Sequence, residues 1–147
     1  MAPDVLRTAL LHRSFSEYDD DPPRPSAAAV VLMVAVAVVS GSARSEIEPV
    51  LEAAGLAPLF RGIVSSDDVV EGKPHPEGYL KALAELLDGV DASEVLVFED
   101  TEAGIASAKA AGMKVFAKRG TLDPHRLRAA DELIERIDVD VMRRVLG

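Results

Sequence analysis

The sequence predicts an α/β fold in which a parallel sheet lies between two layers of helix. Three observations lead there. β-branched apolar runs alternate with helical stretches along the carboxyl-terminal two thirds of the chain. Those runs are apolar at successive positions, the pattern of strands buried on both faces. Polar residues able to carry chemistry stand where the runs end, the edge at which open parallel sheets bind ligands.

The elements follow in order. Residues 4–18 (DVLRTALLHRSFSEY) repeat apolar residues at spacings near three and four, which predicts an amphipathic helix. DDDPPRP at 19–25 ends it as a linker or exposed turn. An amino-terminal unit at 1–25 is thereby set apart from a core at 26–147. An unbroken apolar run from Ala27 to Val39 is too long for a typical strand. It divides into a short helix or turn and a strand near Val34–Val39. Ser40-Gly41-Ser42 ends that strand, and a helix from about Ser45 to Ala54 follows, with Gly55 after it. Ile63-Val64 is a short strand. Gly72–Pro76 is a loop, and Pro76 suits the first turn of a helix reaching about Leu87. Val95–Phe98 is the next strand, with Glu99-Asp100-Thr101 at its carboxyl end. A helix at Ala103–Ala111 closes at Gly112, and Lys114–Ala117 is another strand. Ala130–Ile134 reads as a last short strand or a helix start, and Val139–Leu146 as a helix.

Bulk properties narrow the function. A chain of 147 residues has room for one domain with a real core. Its formal charge of −9 disfavours nonspecific nucleic-acid binding, because phosphates are repelled. A small phosphate ester stays open, since one lysine and a bound cation reverse the field inside a cleft. The absence of cysteine excludes disulfides and thiolate metal sites. His12, His75 and His125 show no metal-ligand spacing. The run ending at Val39 falls short of the roughly 20 residues of a spanning helix, so no membrane partner is expected. SGSAR after it has the look of a signal-peptide cleavage site. The acidic Asp19-Asp20-Asp21 and the lack of a compact basic segment argue against secretion, and a cytoplasmic location is the expectation.

Six residues form the candidate site. Ser40 offers a hydroxyl to a phosphoryl oxygen, and the Gly41 and Ser42 amides offer backbone donors. Lys73 brings a compact positive charge. Glu99 and Asp100 are hard oxygen donors of the kind Mg²⁺ takes. Each also has a plainer reading. Ser40-Gly41-Ser42 suits an ordinary strand-to-helix turn. Lys73 suits a solvated loop charge. Glu99-Asp100 suits a cap on the following helix. Arg44 reads as a surface residue or, alternatively, a substrate contact, His75 as a surface residue, and Asp67-Asp68 as part of a turn before the lysine loop.

The order of these features carries a resemblance: an apolar strand ending in Ser40, then GKPHPEGYLKAL, then VLVFEDTEAGIASAKAAGM. Together they resemble motifs II, III and IV of haloacid-dehalogenase-superfamily phosphatases, in the branch of β-phosphoglucomutases, phosphoglycolate phosphatases and sugar phosphatases. The resemblance covers about Val34 to Ile134. It implies a Rossmann-like three-layer core, Mg²⁺ as cofactor and a small phosphorylated metabolite as substrate. It assigns Ser40 and Lys73 to phosphoryl binding and Glu99 and Asp100 to the metal.

One requirement is unmet. Such enzymes attack phosphorus with the first aspartate of a DxDGT-like motif at the end of the first strand, and covalent catalysis needs that nucleophile. The DxD toward the amino terminus is Asp19-Asp20-Asp21, with no apolar strand before it and prolines after it. The resemblance places the missing strand at the centre of the sheet, so its neighbours would be left with unpaired edges. Most of the cap domain is also missing, with residues 4–18 as its one candidate remnant. The expectation is therefore an amino-terminally truncated hydrolase, inactive alone. The alternatives are a noncatalytic phosphate- or metal-binding module, and a chain that self-associates or completes its sheet with a partner through those edges.

Overall fold

The computed structural model describes residues 35–120 and 122–146. The expectations for the helix at 4–18, the linker at 19–25, the aspartates at 19–21 and the start of the long apolar run lie outside the described residues.

The described chain alternates strand and helix as anticipated. The elements are β1 (Val38–Val39), α1 (Arg44–Ala53), β2 (Ile63–Val64), α2 (Glu77–Leu86), β3 (Leu96–Glu99), α3 (Glu102–Ala110), β4 (Lys114–Lys118), β5 (Glu132–Ile134) and α4 (Val139–Leu146). The open choice at 130–134 resolves as a strand. β1 is shorter than the predicted run, because only Val38 and Val39 keep ladder register with Ile63 and Val64.

Every described strand pairing is parallel, but the strands fall into two sheets. One is β1–β2; the other has the order β3–β4–β5. In the larger sheet Val97 faces Val115 and Phe116 faces Glu132 across the ladders. Alternate residues of a strand point to opposite faces, and the two faces are covered differently. Val97, Val115 and Ala117 pack with Ile105 and Ala108 of α3 and Tyr79 of α2. Leu96, Phe116 and Ile134 pack with Val145 of α4. Phe98 meets Phe116 edge to face at 6.1 Å on that second face. The larger sheet is thus sandwiched between helices, as a three-layer fold requires.

Local chemistry sets the helix ends. Thr101 caps α3, its hydroxyl accepting from the Gly104 amide at 3.1 Å. The cap is therefore Thr101, not the Glu99-Asp100 pair of the plainer reading. After α3 the chain turns through Gly112, whose φ of +81° lies in the left-handed region glycine tolerates. The Glu77 carboxylate accepts from the Val70 and Glu71 amides at 2.9 and 2.8 Å and folds the preceding loop onto the start of α2. Among the described residues no helix is long and apolar enough to cross a membrane.

Candidate active site

Lys73 lies between the two sheets. Its ammonium donates to the Val39 carbonyl of β1 at 3.2 Å and pairs with the Glu99 carboxylate at the end of β3. One side chain therefore gathers the carboxyl ends of strands belonging to different sheets. The Lys73 side chain is 21 % exposed and that of Glu99 is 7 % exposed, so the pair is largely withdrawn from water. A charge so placed needs further partners, and Glu99 has them. The Tyr79 hydroxyl donates to Oε1 at 2.7 Å. The Thr101 hydroxyl and the Asp100 amide donate to Oε2 at 3.1 and 3.2 Å.

Two opposing causes act on the Glu99 carboxyl. Burial pushes its pKa up, and the hydrogen bond and charge of Lys73, helped by Tyr79 and Thr101, more than reverse that, so it rests below the usual glutamate range. Burial, and then the adjacent carboxylate, push the Tyr79 phenol far above its ordinary value. Tyr79 is a fixed neutral donor, and Lys73 also stands 5.1 Å from the centre of its ring.

The space for Glu99 is defined by an absent side chain. A Cβ added at Gly104 would fall on the Glu99 carboxylate, so glycine in the first turn of α3 is required by close approach, not by backbone conformation. The lysine loop is fixed from behind by Ser107 of α3, which is buried and donates to the His75 carbonyl at 2.7 Å.

Ser40 and Gly41 line a small depression of about 70 Å³ with Gly72, Lys73 and His75. The structure thus brings Ser40, Gly41, Lys73 and Glu99 to one edge, with Asp100 next in sequence to Glu99. Ser42 is arranged differently: its amide donates to the Ser40 hydroxyl oxygen at 3.1 Å, closing a local turn. Arg44 is half-buried and structural, donating to the Ile63 carbonyl and to Asp68, both at 2.8 Å. Asp68 ends a 3₁₀ turn at Ser66–Asp68, which agrees with the turn read there. His75 is exposed and pairs with Glu71 at 3.0 Å. Glu71, His75 and Glu77 lie close enough to share an ion, but these are not the residues to which the sequence assigns a metal.

Tyr79, Thr101 and Gly104 were not singled out in the sequence. Each had a signal: a lone tyrosine inside the apolar pattern of α2, a threonine at a predicted helix start, and a glycine inside a predicted helix, which asks for a packing reason.

Comparison with known proteins identifies the family. Residues 3–112 match the haloacid dehalogenase-like hydrolase family. Validoxylamine A 7'-phosphate phosphatase of Streptomyces hygroscopicus subsp. limoneus is 38 % identical over 104 residues, covering 71 % of this chain and 48 % of its own length. (DL)-glycerol-3-phosphatase 2 of Arabidopsis thaliana is 42 % identical over 80 residues, covering 52 % of this chain and 33 % of its own. The crystal structure of a putative beta-phosphoglucomutase from Thermotoga maritima superposes with a TM-score of 0.69 at 30 % identity, over 76 % of this chain and 53 % of that one. The chain spans about half the length of such relatives, or less. By this match over most of its length, the chain belongs to the haloacid dehalogenase-like hydrolase family.

Proposed function

We propose that this chain carries the distal half-site of a Mg²⁺-dependent phosphatase or phosphomutase acting on small phosphate esters, and that it does not turn over alone. The observation that carries the reading is the Lys73 ammonium, held between Val39 and Glu99 at the edge where Ser40 and Asp100 also stand. A fixed cation beside a serine hydroxyl and a depression is a phosphoryl-binding arrangement. The names of relatives that act on validoxylamine 7'-phosphate and glycerol 3-phosphate support the substrate class.

The donor set suits Mg²⁺. That ion is commonly held by one or two carboxylates, with water and substrate phosphate completing its shell. Glu99 is kept ionised by its surroundings, as a ligand must be, and Asp100 follows it at the strand end. When bound, the ion would offset phosphoryl charge. Lys73 would orient the phosphoryl group, Ser40 and the Gly41 amide would donate to its oxygens, and Tyr79 and Thr101 would keep Glu99 in place.

No aspartate of this sequence stands at the end of an apolar strand with Gly-Thr after it. The aspartyl-phosphate step therefore lacks its nucleophile. With Mg²⁺ and p-nitrophenyl phosphate, the purified chain is expected to show no hydrolysis above background. Inorganic phosphate with Mg²⁺ is expected to raise its melting temperature, and Lys73→Ala to remove that shift. Hydrolysis well above background that Lys73→Ala abolishes would overturn the inactivity. A wild-type melting temperature indifferent to both ions would overturn the half-site. A noncatalytic phosphate-binding module is the second reading, and it is favoured by the split of the sheet.

A further inference from the structure

The carboxyl edge of the larger sheet holds a second cation. The last step of the β3–β4 ladder pairs Glu99 with Ala117. Lys118 therefore stands one step further along the adjacent strand, level with Asp100, and neighbouring strands lie about 4.8 Å apart. Its backbone is fixed from the other side. Lys118 pairs with Ile134 of β5, and the Arg119 amide donates to the Ile134 carbonyl at 2.8 Å. The side chain is exposed, but it does not trail back along the sheet. Its ammonium donates to the Arg119 carbonyl at 3.0 Å, and a Cβ placed at Gly120 would lie 3.7 Å from it. The charge is thus turned over the end of its own strand.

The cations around it are already engaged. Lys73 pairs with Glu99, Arg119 with Glu135 and Arg126 with Glu102. Lys118 pairs with no carboxylate among the described residues, although the chain has 25 acidic residues to 16 lysines and arginines. An exposed lysine is commonly just a solvated charge. This one differs by its place, beside the strand end that carries Glu99 and Asp100.

Position decides what that cation can meet. Lys73 joins Val39 of β1 to Glu99 of β3, so a phosphoryl group held by Lys73 and Ser40 sits on the β1 side of β3. Lys118 sits on the β4 side, with Asp100 between. We propose that Lys118 is a specificity-determining residue: it receives a second anionic group, a carboxylate or a phosphate, a few carbons away from the phosphoryl group. The substrate class narrows from small phosphate esters to small phosphate esters with two anionic ends. Lysine suits either anion, because its ammonium is a compact charge with no planar fork to match. The inference rests on the half-site reading and deepens it by naming what the far end of the substrate carries.

The test is calorimetric titration of the full chain, with Mg²⁺ present, by two ligands of one skeleton. 3-Phosphoglycerate ends in a carboxylate where glycerol 3-phosphate ends in a hydroxymethyl group. The wild-type chain is expected to bind 3-phosphoglycerate roughly tenfold more tightly, the factor one charge-assisted hydrogen bond supplies. Lys118→Gln should bring 3-phosphoglycerate down to the affinity of glycerol 3-phosphate and leave the latter unchanged, and Lys118→Arg should keep the preference. Arg119→Gln removes the same charge one residue away and should keep it too. Equal wild-type affinities would overturn the proposal, as would a preference that survives Lys118→Gln. Equal weakening of both esters by Lys118→Gln would give the ammonium to the phosphoryl group itself. Loss of the preference in Arg119→Gln as well would reduce it to the general field of the protein. Either result would overturn the assignment. Inorganic phosphate separates the two readings. Phosphate binding that depends on Lys73, without discrimination between the esters, removes the role of Lys118 alone. No binding of phosphate removes the half-site and this inference with it.

Discussion

The two sheets differ in how they are supported. The β3–β4–β5 sheet is covered on one face by α2 and α3 and on the other by α4, and most of the buried core belongs to it. The β1–β2 sheet has two residues per strand, and α1 beside it has no buried residue. Val50 on that helix is 66 % exposed, whereas Ile105 on α3 is fully buried. The difference shows that stability and chemistry are distributed unequally. The larger sheet holds the fold, and the smaller one brings Ser40 to the site while depending on α2 and on Lys73 for its attachment.

The largest effect is expected in the supported region. Ile105→Ala should lower unfolding free energy by about 2–5 kcal/mol, because it leaves a cavity under the sheet. Urea denaturation checks this, and a loss near zero would mean the larger sheet does not carry the core. Lys73→Met comes next, at roughly 3 kcal/mol. That is the low end for breaking a buried pair, since Lys73 keeps part of its side chain in water. It should also separate the regions: exchange at the Val38 and Val64 amides should accelerate more than at Val97 and Val115. Equal acceleration would show that the two sheets unfold as one unit.

Smaller effects concern the polar contacts beside β2. Arg44→Ala removes bonds to the Ile63 carbonyl and Asp68, and its shift in denaturation midpoint should be below that of Lys73→Met, because the Arg44 side chain is more exposed than that of Lys73. The smallest is a pH effect. The Ser65 hydroxyl and amide, and then Arg44, hold the Asp68 pKa at about 2 against an ordinary 3.8. The folded value is the lower, so this contribution is complete above 3.8 and is lost as pH falls toward about 2. Ser65→Ala should flatten that acid limb, and an unchanged limb would remove Asp68 from the account.

The same contrast explains what was legible in the sequence. The strands at 95–98 and 114–117 are read to within a residue, because burial on both faces forces consecutive apolar residues. The strand near 34–39 is read too long, because its apolar run continues past the two residues that keep ladder register. Ser40, Lys73, Glu99 and Asp100 stand out because polar residues at strand ends and before proline interrupt the apolar pattern. Tyr79 and Gly104 are not, because their roles depend on what lies across from them. Nothing local says that a phenol on α2 reaches a carboxylate on β3, or that a helix needs a glycine because a glutamate lies under it.

Ser107 gives the lysine loop one further property. Its bond to the His75 carbonyl, from a helix packed into the main core, fastens the main chain two residues beyond the lysine, while Val39 and Glu99 hold the ammonium at the far end of the side chain. The lysine is a strut anchored at both ends, between the loop and two strand ends. A ligand arriving at that edge would meet a positive charge already set in place.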